Sequence, residues 1–171
     1  MLDRTWARAL AVCALLSTSL LAGDYGHVLD VVSQTWPERG KGVVLCSLEA
    51  NQFTLLDLVD TAKERGLSLT IVNLKELKAL DKTIATTLSR RPDFVLIIDD
   101  DPILGSKGSA LPRLLARAAS LGIPTVGMSV EPLKVGGALA AGAAATDKVY
   151  YSDAVLKTLK LPIPEGAVAY K

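Results

Sequence analysis

Arg91-Pro92-Asp93-Phe94-Val95-Leu96-Ile97-Ile98-Asp99-Asp100-Asp101 decides the fold of this chain. The run from Phe94 to Ile98 is apolar on both faces, the pattern of a strand in a parallel sheet buried between two layers of helices. Pro92 closes the helical pattern before it, because the residue ahead of a proline is pushed out of the α region.

Reading toward the N-terminus, Leu77, Leu80, Ile84 and Leu88 mark a helix, and Leu67, Leu69 and Ile71 alternate as a strand. Before them lies a helix from Gln52 to Arg65, with Leu55, Leu56, Val59 and Ala62 on one face and Gly66 as its C-terminal stop. Val43 to Ser47 reads as another strand, and Val28, Val31 and Val32 place a helix between His27 and Trp36 that Pro37 ends. Reading toward the C-terminus, Ser109 can cap a helix whose stripe is Leu111, Leu114, Leu115, Ala118 and Leu121, and Ile123 to Met128 is a further strand. After Gly136-Gly137 the pattern softens into a strand at Val149-Tyr150-Tyr151 and a short helix from Asp153 to Leu159, a hairpin or edge addition. Strand and helix alternate with short, right-handed connections, so the expected fold class is α/β. The expected architecture is a doubly wound, mostly parallel sheet in a Rossmann-like three-layer sandwich.

The chain has 171 residues. It begins with Arg4 and Arg8, an apolar run from Ala9 to Ala22, and Gly23-Asp24-Tyr25-Gly26. That layout predicts a secretory signal peptide over residues 1–23 and a periplasmic location, the run being short of the ~20 residues a membrane-spanning helix needs. A retained anchor is the alternative. Residues 24–171 then form one α/β domain. The formal net charge is +1, with 19 basic and 18 acidic side chains interspersed, which argues against a nucleic-acid partner. Cys13 falls in the leader, so Cys46 stands alone and reads as a buried structural thiol. His27 is the only histidine, without a second ligand at metal spacing or a catalytic partner, so no metal site, cofactor or nucleophile–base set is expected.

Open α/β sheets bind ligands beyond the carboxyl ends of their strands. Those ends carry Ser47-Leu48-Glu49-Ala50-Asn51, Asp99-Asp100-Asp101 and Ser129-Val130-Glu131. The candidate ligand residues are Ser47, Glu49, Asn51, Asp100, Asp101, Ser129 and Glu131, a set of carboxylates and hydroxyls suited to a solute with an amine or several hydroxyls. The same residues also read as helix caps and loop acids. Gly105-Ser106-Lys107-Gly108-Ser109 lacks the spacing of a phosphate-binding P-loop. Val95 to Pro102 looks like the first strand of a response-regulator receiver, but no later strand ends in a phosphoacceptor Asp.

Taken in order, these strand ends resemble the second lobe of tryptophan/tyrosine-type ABC-transporter substrate-binding proteins. Gly42 to Asn51 is similar to the strand and Asn-Pro-x-Glu-x-Asn loop that open that lobe, with Glu49 and Asn51 on matching positions. Arg65 to Leu69, Arg91 to Ile97, Ile123 to Gly127 with Gly136 to Leu139, and Leu159 to Pro164 resemble its later steps. Cys46-Ser47 stands where Asn-Pro is usual. The resemblance implies an exported solute-binding-like protein, not an enzyme, that binds an amino-acid-like solute or a membrane protein, and, offering one lobe, a homodimer or a partner lobe. The alternative is a YfiR-type periplasmic regulator of a membrane-bound diguanylate cyclase, which shares the Gly-Gly strand and the closing strand and helix.

Overall fold

The fold, seen in a computed structural model that describes residues 25–171, is built on a seven-stranded sheet. The signal peptide expected over residues 1–23, and Cys13 with it, lies outside those residues. The strands are β1 (Lys41–Cys46), β2 (Ser68–Asn73), β3 (Phe94–Leu96), β4 (Thr125–Gly127), β5 (Leu139–Ala141), β6 (Val149–Tyr151) and β7 (Val168–Ala169). Their order across the sheet is β2-β1-β3-β4-β5-β6-β7. The first five run parallel, β6 is antiparallel to β5, and β7 is parallel to β6. The expected hairpin after Gly136-Gly137 is the β5–β6 pair.

The helices are α1 (Gly26–Thr35), α2 (Leu48–Glu64), α3 (Leu80–Ser89), α4 (Leu111–Ser120), α5 (Glu131–Lys134) and α6 (Asp153–Leu159). Because strand side chains alternate between faces, Val44, Cys46, Phe94, Leu96 and Val126 pack under α1, α2 and α6, while Val43, Leu45 and Val95 pack under α3 and α4. This is the three-layer α/β arrangement read from the sequence. Gly42 sits beside β3 because any side chain there would run into the Phe94 ring and Leu69. Gly66, at φ +72°, lets the chain leave α2 in the left-handed conformation and return as β2. Arg65 forks onto Asp30, Nε to Oδ1 at 2.7 Å and Nη2 to Oδ2 at 3.2 Å, and fastens the end of α2 to α1.

Three local expectations change. Leu56 is 73% exposed and Leu58 takes its place in the core, because α2 turns its Asn51, Leu55, Leu58 and Ala62 face to the sheet. Leu77 is exposed in a 3-10 turn, Leu77–Ala79, and the buried stripe begins at Leu80. Ser109 does not cap α4: Ala110 holds that position without a side-chain bond, and Pro112 in the first turn supplies the helical φ instead.

Candidate functional site

In a sheet ordered 2-1-3-4-5 the connections leave β1 and β3 in opposite directions, which opens a crevice between their carboxyl ends. The loops bordering that crevice are Ser47 to Asn51, at the start of α2, and Asp99 to Asp101. Asp101 joins them. Its carboxylate is 3% exposed and accepts four hydrogen bonds: Oδ2 from the Ser47 N–H and Asn51 Nδ2, both at 2.7 Å, and Oδ1 from the N–H groups of Ile103 at 2.9 Å and Leu104 at 2.7 Å. Asn51 also donates to the Ser47 carbonyl at 2.9 Å, and Ser47 caps α2 by accepting from the Ala50 N–H at 3.4 Å. Ser47, Asn51 and Asp101 therefore come together, as expected of one rim, but their polar atoms face each other and hold the two loops in register.

Glu49 and Asp100 are exposed on the rim. Glu131 opens α5 and is paired with Lys134 at 2.7 Å, so it turns along its own helix rather than toward the crevice. Ser129 lies beyond β4, and its Oγ is buried without a hydrogen-bond partner of good geometry.

Asp99, a neighbour of the acids chosen from the sequence, is the residue that the geometry singles out. Its Oδ1 is likewise buried and unpartnered, and it stands over Gly127, where an added Cβ would lie 3.7 Å from it. Burial raises the Asp99 carboxyl to about 6, and the charge of Asp100 adds to the rise. Ser129 offsets part of that through its main chain and hydroxyl, which face the acid too loosely to satisfy it. The Asp99 N–H donates to the Tyr25 hydroxyl at 3.0 Å, so the residue is fixed from the α1 side, and burial pushes the Tyr25 hydroxyl above its ordinary range. Strand alternation signals Asp99 only in part: Val95 and Ile97 share a face, but β3 ends at Leu96 and Asp99 lies in the turn beyond it. Tyr25 carried no comparable signal.

Cys46 is fully buried at the end of β1, its thiol raised to about 12 by burial and then by the charge of Asp101, as befits a structural rather than reactive cysteine. Among the described residues no cluster of His, Cys, Asp and Glu could hold a metal ion, and no helix is long and apolar enough to cross a membrane. A groove of about 670 Å³ runs along α2 from Leu48 and Glu49 at the rim.

Comparison with known proteins separates fold from family. Solved structures of similar fold include an ABC domain in complex with L-Trp from Streptococcus pneumonia, with a TM-score of 0.68 at 14% identity over 82% of this chain and 58% of that one. A ligand-free, open substrate-binding protein with adhesive properties from Clostridium difficile gives 0.70 at 13% identity, over 90% of this chain and 61% of that one. The resemblance to substrate-binding proteins thus extends to the fold. Curated relatives are of another kind. The 1-deoxy-D-xylulose-5-phosphate synthase of Caldanaerobacter subterraneus subsp. tengcongensis is 33% identical over 104 residues, 55% of this chain and 16% of the relative. That of Colwellia psychrerythraea is 29% identical over 125 residues, 65% of this chain and 20% of the relative. The chain spans a fifth or less of the length of these two relatives. Residues 36–146 match the family described as the transketolase C-terminal domain. The expectation that the chain is no enzyme is corrected by these matches, which are to enzymes and to a domain family named for one. With well over half of its length inside the family match, the chain belongs to the transketolase C-terminal domain family.

Proposed function

We propose that this chain is a solute-binding α/β domain that recognises a small molecule bearing an amino group at the carboxyl ends of β3 and β4, against a second domain that closes the open side. The observation that carries the reading is a pair of buried polar atoms, Asp99 Oδ1 and the Ser129 hydroxyl, at the ends of adjacent strands, neither with a well-formed hydrogen bond and with only Ser129 near enough to act on the acid as a donor. A buried acceptor without a donor costs roughly 1–3 kcal/mol, a cost that a donor brought by a ligand offsets. An ammonium group is the donor that best fits an acid, since it neutralises the charge and brings three N–H bonds. Asp101 and Asn51 act one step back, by fixing the loops that present Asp99, Asp100 and Glu49.

The similar fold of the solved substrate-binding structures supports this reading, and one of them is an ABC domain in complex with L-Trp. Membership in a domain family of larger enzymes is compatible with it, the rim then serving an assembly whose other domains supply the chemistry. Under the same proposal the domain is periplasmic, a location supported by the leader-like sequence of residues 1–23. Isothermal titration with a panel of free amino acids, the matching carboxylic acids without the amine, and neutral polyols tests it. Amine-bearing members should bind and the deaminated acids should not, and Asp99→Asn should abolish the heat of binding. Equal binding of amines and deaminated acids, or an unaffected Asp99→Asn, would refute it.

A further inference from the structure

The open edge of the sheet, which meets this rim at Leu48 and Glu49, carries a second pattern. β2 ends the sheet, and its sequence Ser68-Leu69-Thr70-Ile71-Val72-Asn73 contains no charge and no proline, the usual devices that keep an edge strand from pairing. The N–H groups of Ser68 and Leu74 donate inward, to the Gly40 and Cys46 carbonyls at 2.8 Å each. Because backbone groups alternate along a strand, those of Leu69, Ile71 and Asn73 point to the open side.

The two faces beside that edge differ in chemistry. On the α2 face lies the 670 Å³ groove, floored by Leu48, Leu55, Leu56, Val59 and Ile71, with Phe53 76% exposed close by on the same helix. Glu49 and Asp60 stand at its margins and disfavour a further acid there. On the α3 face, Thr70 and Val72 border two smaller depressions, of about 160 and 280 Å³, that share Val72, Thr87 and Arg90. Lys41, Lys82, Arg90 and Arg91 line them, and among the described residues none of these four is in an ion pair. The acids nearby are occupied: Asp81 faces Arg113 at 3.6 Å, and Asp93 accepts from the Lys41 N–H at 2.9 Å.

We infer that the β2 edge docks an extended polypeptide segment in which apolar residues alternate with acidic ones, added to the sheet as a further strand. A strand in that position places alternate side chains on opposite faces, so its apolar set enters the α2 groove while its acidic set meets the unpaired cations on the α3 face. The main-chain groups of Leu69, Ile71 and Asn73 supply the hydrogen bonds. Charge complementarity selects this occupant over a second copy of the chain. The two-fold that pairs an edge strand antiparallel with itself keeps like faces together, and would set Lys82 and Arg90 against their own copies.

Three fluorescein-labelled octapeptides provide the test, read by fluorescence anisotropy with the full chain: alternating valine and glutamate, alternating valine and lysine, and the acidic peptide N-methylated at alternate amides. The acidic peptide should bind at least tenfold tighter than the lysine peptide, weaken with added salt, and lose binding on N-methylation. The double variant Lys82→Glu and Arg90→Glu changes only exposed side chains and should invert the preference between the two charged peptides. Equal binding of both charged peptides, undiminished binding of the N-methylated one, or no binding at all would overturn the inference. Self-association of the chain with the Leu69 and Ile71 amides already protected from exchange would assign the edge to a second copy and overturn it equally.

Discussion

Replacing Asp101 with asparagine keeps the shape of the side chain and tests whether this acid is the clamp of the switch point. The carboxylate accepts two donors on each oxygen, Ser47 and Asn51 on one side, Ile103 and Leu104 on the other. An amide can satisfy only one pair; its NH₂ group must face the other pair donor to donor. Bonds to a charged acceptor contribute about 1.5–3 kcal/mol each, and two are lost. Ser47 is half-buried and can recover water, which lowers the expected net loss to about 3 kcal/mol of a total near 5–15 kcal/mol. For a domain of this size that corresponds to a fall in Tm of roughly 6–12 °C. Urea unfolding followed by circular dichroism measures it, with an unchanged slope showing that the comparison is between like states. A loss below about 1 kcal/mol would refute the clamp, because the four donors would then have other partners.

Asp99→Asn should do the opposite at neutral pH. The folded acid, raised to about 6, stands above the ~3.9 of an unfolded Asp, so its contribution to stability is full below pH ~4 and is lost as pH rises through 6. The variant should therefore be more stable than the parent at pH 7.5, by on the order of 1–2 kcal/mol after allowance for solvent screening, and indistinguishable from it at pH 4 in thermal melts. Cys46, buried and with its thiol raised to about 12, should react with a thiol reagent only on unfolding, so that the native labelling rate tracks urea concentration; fast labelling without denaturant would place it at the surface.

The sheet was legible because its central strands are apolar on both faces. Val43 to Cys46 and Phe94 to Ile98 permit few other readings, and the stripes of α3 and α4 follow from 3.6-residue spacing. The exposed face of α2 was misread for a physical reason: Leu55, Leu56, Leu58 and Val59 are apolar all round, so periodicity alone could not say which two face the sheet. β7 was not foreseen because two residues, Val168–Ala169, give no alternation to read. The position of the rim followed from topology, since strand ends must converge. Which of three consecutive aspartates is buried and clamped by Asn51, and which turns a single oxygen inward, depends on the path of the loop after β3. Gly105 fixes that path, since a Cβ there would strike the main chain of Asp99 and Asp101. The enzyme-domain family was not legible from the site, because these strand ends hold no assembled catalytic set.

The central claim is that Asp99 is a half-buried acid whose buried oxygen, Oδ1, lacks a well-formed hydrogen bond until a ligand provides one. Carbon-detected NMR of the Asp99 side-chain carboxyl, titrated against pH with and without an amine-bearing solute that binds, measures this directly. The account predicts a midpoint near 6 in the free protein, moving down when the ammonium group of the solute neutralises the carboxylate. A free-protein midpoint near 4, or one that the bound solute leaves unmoved, would contradict it.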